Sequence, residues 1–161
     1  MRPATMGFWL GAIALLATPS SGMAAEQTLG KEGVFTMIVF KDGTKFNRCI
    51  MHQGQGVNTI RIASPRNGEY ILSFPTAGQD KNAPLSLSVD GKPPMVVQLS
   101  GQDKARTWAV LPPQAVGAIK GGGKTIDVTL GRAVFGWKLN SNMKSSFTVL
   151  DSCVEGYRNG A

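Results

Sequence analysis

A single histidine, His52, limits the catalytic chemistry open to this chain. A Ser-His-Asp or Cys-His site would use it as general base, with Cys49 or a serine such as Ser64 as nucleophile. The offset from Cys49 to His52 is three residues, which on a strand points the two side chains to opposite faces. A cysteine held in a disulfide has no thiolate with which to attack. His52 therefore reads as a surface residue without a catalytic partner. A metal site at the cysteines would need more partners, and only His52 is available, whereas zinc wants three or four His, Cys or carboxylate ligands. Carboxylate pairs for acid–base or glycoside chemistry would draw on Asp42, Glu69, Asp80, Asp90, Asp103, Asp127, Asp151 and Glu155. Most of these stand in turns, where Asp serves the backbone. Trp108, Trp137 and Phe135 could line a ligand groove, but aromatic residues in a small sheet domain usually fill its core.

Lys120-Gly121-Gly122-Gly123-Lys124-Thr125 has the look of the end of a phosphate-binding loop. The P-loop needs glycine where this chain has Ala118, and it runs from a strand into a helix. Here the glycines follow a helical pattern and enter a strand pattern, so they read as a helix stop and connector. The expectation is no catalytic residue, no cofactor and no metal.

Cys49 and Cys153 are the only cysteines. In an exported chain such a pair implies one disulfide, the competing reading being free thiols or metal ligands. The bond would tie an early strand to the last element. It would close a loop of about 100 residues, worth up to roughly 4.7 kcal/mol in the chain-entropy model.

Export is read from residues 1–25. Arg2 supplies a positive start, Met6 to Ala17 form an apolar run, and Pro19, Ser20 and Ser21 break it before Gly22-Met23-Ala24. That is the layout of a cleavable signal peptide, with cleavage after Ala24 or Ala25. The run falls short of the ~20 apolar residues of a spanning helix, and no second long apolar segment follows, so no transmembrane segment is expected. About 136 of the 161 residues remain, enough for one domain at 26–161. The formal charge is +7, and one unit leaves with Arg2. Lysines and arginines arrive nearly one per turn or strand, with no basic run and no interleaved aromatic ladder, which argues against nucleic acid.

The elements follow from alternation and turn chemistry. Strands are expected at 34–40, 45–51, 57–63, 69–74, 85–89, 95–99, 108–111 and 125–130, with a weaker pattern at 134–139 and loops at 75–84 and 100–106. Asp42-Gly43 and Asp90-Gly91 mark hairpins. Pro112-Pro113 opens a short helix that stops at Gly121, and Ser145 or Ser146 caps a final helix with Phe147, Leu150, Val154 and Tyr157 on one face. The sum is a single α+β domain of about seven or eight mostly antiparallel strands, sandwich-like, with one short and one C-terminal helix.

Leu87-Ser88-Val89-Asp90-Gly91, Ala115 to Gly121, Thr125 to Leu130 and Ser146-Phe147-Thr148-Val149-Leu150-Asp151-Ser152-Cys153 resemble elements of the invasion-associated locus B family of exported bacterial proteins. The likeness spans about residues 45 to 155, and this chain has two cysteines where relatives can have more. The resemblance implies an exported, β-rich accessory or host-interaction protein and brings no catalytic residues. The expected function is thus a periplasmic or secreted non-enzymatic protein that binds an unknown protein or envelope partner. Two rivals stand beside it. One is an inhibitor or immunity protein that plugs an envelope hydrolase with the loop at 75–84 or 100–106. The other is a hydrolase using carboxylates from distant strands.

Overall fold

The computed structural model describes residues 24–65 and 67–158. The leader expected at residues 1–25 lies outside this range except for Ala24 and Ala25. Those two open the first strand, β1 (Ala24–Glu32).

β2 (Phe35–Asp42) and β3 (Lys45–Gln53) form the hairpin expected around Asp42-Gly43, with Gly43 at a φ of 62° in the turn. β4 (Ile60–Pro65) and β5 (Ile71–Pro75) continue the meander. The chain then leaves this sheet. β6 (Leu85–Val89) and the two-residue β7 (Met95–Val96) pair in a second sheet. β8 (Leu99–Gln102) and β9 (Arg106–Val110) return to the first, with β9 against β5. α1 (Pro113–Lys120), β10 (Thr125–Leu130), β11 (Ala133–Lys138) and α2 (Met143–Arg158) complete the order. The result is a seven-stranded sheet β1-β2-β3-β4-β5-β9-β8 and a four-stranded sheet β11-β10-β6-β7, antiparallel at every pairing.

The mostly antiparallel α+β domain with one short and one C-terminal helix is as read from the sequence. The eleven strands among the described residues exceed the expected seven or eight. β1 was missed because residues 25–31 are all exposed and carry no apolar alternation. Backbone pairing to β2 alone makes it a strand, and its charges and the irregularity between Thr28 and Gly30 suit an edge. Residues 95–99 split between β7 and β8 because this run turns the corner from one sheet to the other. Residues 100–106 are no loop but most of a hairpin closed by Asp103, whose carboxylate accepts from the backbone N–H of Ala105 and Arg106, both at 2.7 Å. α2 begins before Ser145, because Asn142 Oδ1 accepts from Ser145 N at 3.1 Å and caps it, while Ser146 turns inward.

The core lies between the sheets and the helices. Phe35, Met37, Val39, Cys49, Met51, Ile60, Ile62, Leu72 and Phe74 line the inner face of the large sheet. The small sheet answers with Leu85, Leu87, Val89, Ile126, Val128 and Leu130, alternating as period-2 strands should. Phe147, Leu150 and Val154 of α2 close one end against β2, β3 and β4. The disulfide Cys49–Cys153 fastens this helix to β3, with the Cα atoms 6.2 Å apart. Phe135 and Trp137 are half-buried at the core margin, where Phe135 sits 6.0 Å from Phe74 and Trp137 donates to Asn58 O at 3.0 Å.

One buried amide holds the opening hairpin. Asn140 Oδ1 accepts from Val34 N at 2.7 Å, while its Nδ2 donates to Glu32 O at 2.8 Å and to Ser146 Oγ at 2.9 Å. Gly33, at a φ of 60°, lies against that amide, and a Cβ there would fall 2.0 Å from Oδ1.

Candidate functional site

Strand alternation gives the large sheet an outer face, and cross-strand register arranges it in rows. The central row is Thr28, Ile38, Ile50, Ala63, Ile71 and Val110, drawn from β1, β2, β3, β4, β5 and β9. Ile38, Ile50 and Ala63 are buried, with Phe40 and Ile71 packed on them, yet this cluster is built only from β2 to β5 themselves. The apolar span from β2 to β9 is roughly 19 Å at the ~4.8 Å strand spacing. At its β9 end it meets an open apolar recess of about 540 Å³ lined by Tyr70, Val110, Leu111, Pro113 and Val116.

Polar rows flank it. On one side Thr36, His52, Arg61, Ser73 and Trp108 stand in register. On the other, Glu26, Phe40 and Arg48 do the same. Arg106 reaches into the first row from the next position along β9. Its Nε donates to Ser73 Oγ at 2.8 Å, and one Nη donates to Ser73 O at 2.8 Å and to Thr59 O at 2.9 Å. Burial, then the Arg61 charge, lowers the Arg106 pKa to about 10. Arg61 extends toward Glu26 at 3.8 Å, an ion pair between half-exposed side chains that is weak in water. The Arg48 guanidinium lies 5.0 Å over the Phe40 ring. The stems of these arginines cover the aliphatic floor, leaving a shallow recess of about 100 Å³ among Arg48, Ile50, Arg61, Ser73, Arg106 and Trp108.

His52 and Cys49 do face opposite ways. Cys49 is in the core and the disulfide, whereas His52 is half-buried in the outer face, less exposed than a surface histidine. Burial first, then Arg61, lowers the His52 pKa from 6.5, against an opposing pull from Glu26. Its Nδ1 is buried without a hydrogen-bond partner among the described residues. Ser64 is buried on β4 beside Cys49, not beside His52. Among the described residues no three His, Cys, Asp or Glu side chains cluster as metal ligands would.

The glycine-rich segment is a helix stop. The backbone N–H of Gly121 bonds to Gly117 O, and those of Gly122 and Gly123 to Ile119 O. The N–H groups of Lys124 and Thr125 do converge on an anion, the Asp90 carboxylate at 2.6 and 2.9 Å, and these bonds lower the Asp90 pKa. A phosphate would have to displace that side chain.

A second polar cluster, unread in the sequence, joins Tyr70, the residue before β5, to both helices. Tyr70 donates to Asp151 at 2.7 Å, Lys120 Nζ donates to the Tyr70 oxygen at 3.0 Å, and Lys120 lies 3.7 Å from Asp151. Burial raises the Tyr70 pKa, so the phenol stays protonated and serves as a donor. This is a fastening between elements, not a poised nucleophile. The loop at 75–84 is also fastened: Thr76 N bonds to Ala105 O, and Gln79 accepts from Gln102 Nε2 and Arg132 N.

Of the residues on this face the sequence singles out Trp108 as a groove candidate, whereas Arg48, Arg61, Arg106 and Phe40 escape it. The arginines look dispersed in sequence, and the fold gathers them because β9 docks on β5 across 30 intervening residues, from Pro75 to Arg106. The available signal was the apolar content on both faces of 35–40, the mark of a strand with two apolar sides. No helix of the described residues is long and apolar enough to cross a membrane. Neither a family model, a curated protein nor a solved structure matches the chain.

Proposed function

We propose that this chain is an exported, non-enzymatic accessory protein of the invasion-associated locus B type, which binds another macromolecule through the outer face of its large sheet. The observation that carries the reading is the apolar row of that face, flanked by Arg48, Arg61 and Arg106 and joined by Phe40 and Trp108. Interface centres are rich in arginine and aromatic side chains over a dry apolar floor. The carboxylate-hydrolase rival needs two convergent acids, whereas Glu26 is the one acid lining this recess. The plug rival needs a protruding loop, whereas both of its candidate segments are tied into the fold.

The test is retention from an envelope extract by immobilised protein lacking the leader. The wild type should hold a macromolecule that the double variant Arg48→Glu/Arg61→Glu releases, with the double variant folded by circular dichroism. Equal retention by both moves the interface elsewhere, and turnover of an envelope polymer by the purified protein overturns the non-enzymatic reading.

A further inference from the structure

We propose that the outer face takes an acidic peptide segment of a partner protein, one that carries Asp or Glu next to a large apolar side chain. The carboxylate sits between Arg61 and Arg106, and the apolar side chain lies on Ile50, Ala63 and Ile71 between Phe40 and Trp108. This inference rests on the macromolecule-binding reading above and names the chemistry of the partner.

Charge complementarity is the first argument. Arg61 and Arg106 converge on Ser73, the one by register and the other by hydrogen bond. Arg106 donates to three neutral oxygens, and the nearby Asp103 carboxylate is committed to backbone N–H groups. A half-buried guanidinium beside a second one, without a bonded carboxylate of its own, attracts an anion. Arginine suits a carboxylate in particular: the Arg61 Nε is buried without a partner among the described residues and can contribute to a fork, while Arg106 has the N–H groups of its other Nη left to donate. Glu26 already places one carboxylate beside Arg61. It sits 3.8 Å from Arg61, beyond hydrogen-bond length, with both side chains part-exposed, so an incoming carboxylate displaces it at little cost.

Shape is the second. The recess among the arginines holds about 100 Å³, room for the tip of one side chain rather than a whole drug-sized ligand or an acyl chain. A peptide lying along the 19 Å floor (roughly six extended residues) needs no deeper cavity. A single-stranded nucleic acid is the competing occupant of a face with arginines and rings. It fits less well, because Arg48 covers one side of the Phe40 ring, and β8 pairs alongside Trp108 at Gly101, so neither ring stands clear as a stacking platform.

The experiment selects a random-peptide display library on immobilised protein without its leader. Enriched sequences are then synthesised and their affinities measured by titration calorimetry, beside an oligothymidylate. Enriched peptides should place Asp or Glu beside an aromatic or large aliphatic residue. Arg61→Glu and Arg48→Glu should each weaken them at least about tenfold, with Lys81→Glu, away from this face, leaving affinity unchanged. Arg61→Gln serves as a second variant with less perturbation, and equal urea midpoints establish that the variants fold. Enrichment of neutral or basic peptides, or acidic ones indifferent to Arg61→Glu and Arg61→Gln, overturns the acidic-peptide site while leaving macromolecule binding standing. Oligothymidylate binding tighter than any peptide and lost in Arg61→Glu overturns it in favour of nucleic acid. If neither probe binds, the acidic-peptide site is overturned, and retention from the envelope extract then decides the macromolecule-binding reading by itself.

Discussion

Asn140 and His52 show how differently two polar side chains in this sheet protein are tied. Asn140 makes three hydrogen bonds that join the β1–β2 turn to the start of α2. Asn140→Ala strands a backbone N–H and a carbonyl, at about 1–3 kcal/mol for each group left without a partner. Urea denaturation should show a midpoint shift of that size, and Gly33→Ala should lower stability as well, since its Cβ collides with the same amide. His52 has no such partner. Its folded pKa lies below 6.5, so between the folded value and 6.5 the unfolded chain binds more protons than the folded one. Stability therefore falls as pH drops from neutrality through this window, and His52→Gln should flatten the fall. A second loss belongs below pH 3.8, where Asp90 and Asp103, both held low by backbone N–H groups, take up protons. A urea series from pH 7 to pH 3 separates the two steps.

At the scale of elements, turn chemistry and alternation were the legible part. Asp42-Gly43, Asp90-Gly91, the proline-led α1 and the 3.6-residue face of α2 all stand where the residues put them. What escaped were strands formed by their neighbours rather than by their own composition, β1 above all. The candidate face escaped for the same reason: Arg61 and Trp108 both touch the row at Ser73, and no local pattern encodes that pairing. The cysteine pairing was legible from their number together with the expectation of export. The two sulfurs are bonded to each other and neither offers a thiolate, so both should resist rapid alkylation in native, unreduced protein. Replacing Cys153 by Ser should lower stability by as much as about 4.7 kcal/mol in the chain-entropy model for a loop of 104 residues, read as a drop in the urea midpoint.

For the whole molecule, positive charge and export belong together in the proposed reading. Intact mass of material recovered outside the cytoplasm should begin at Ala25 or Glu26; a mass that retains Arg2 sinks the leader. Either cleavage leaves the Glu26 to Glu32 part of β1, whose register with β2 runs from Phe40 to Phe35.

The return of β9 to β5 has a kinetic side. Until residues 106–110 arrive, β5 is an open edge that displays Leu72 and Phe74 with unpaired backbone groups. An edge of that kind recruits whatever strand reaches it first, including the same strand of another nascent chain. A fragment ending before Arg106 should therefore aggregate where the full chain does not. The same delay means that Arg61, made early, meets Arg106 only when this edge has been sealed. The face and the protection against misassembly are thus completed in one event.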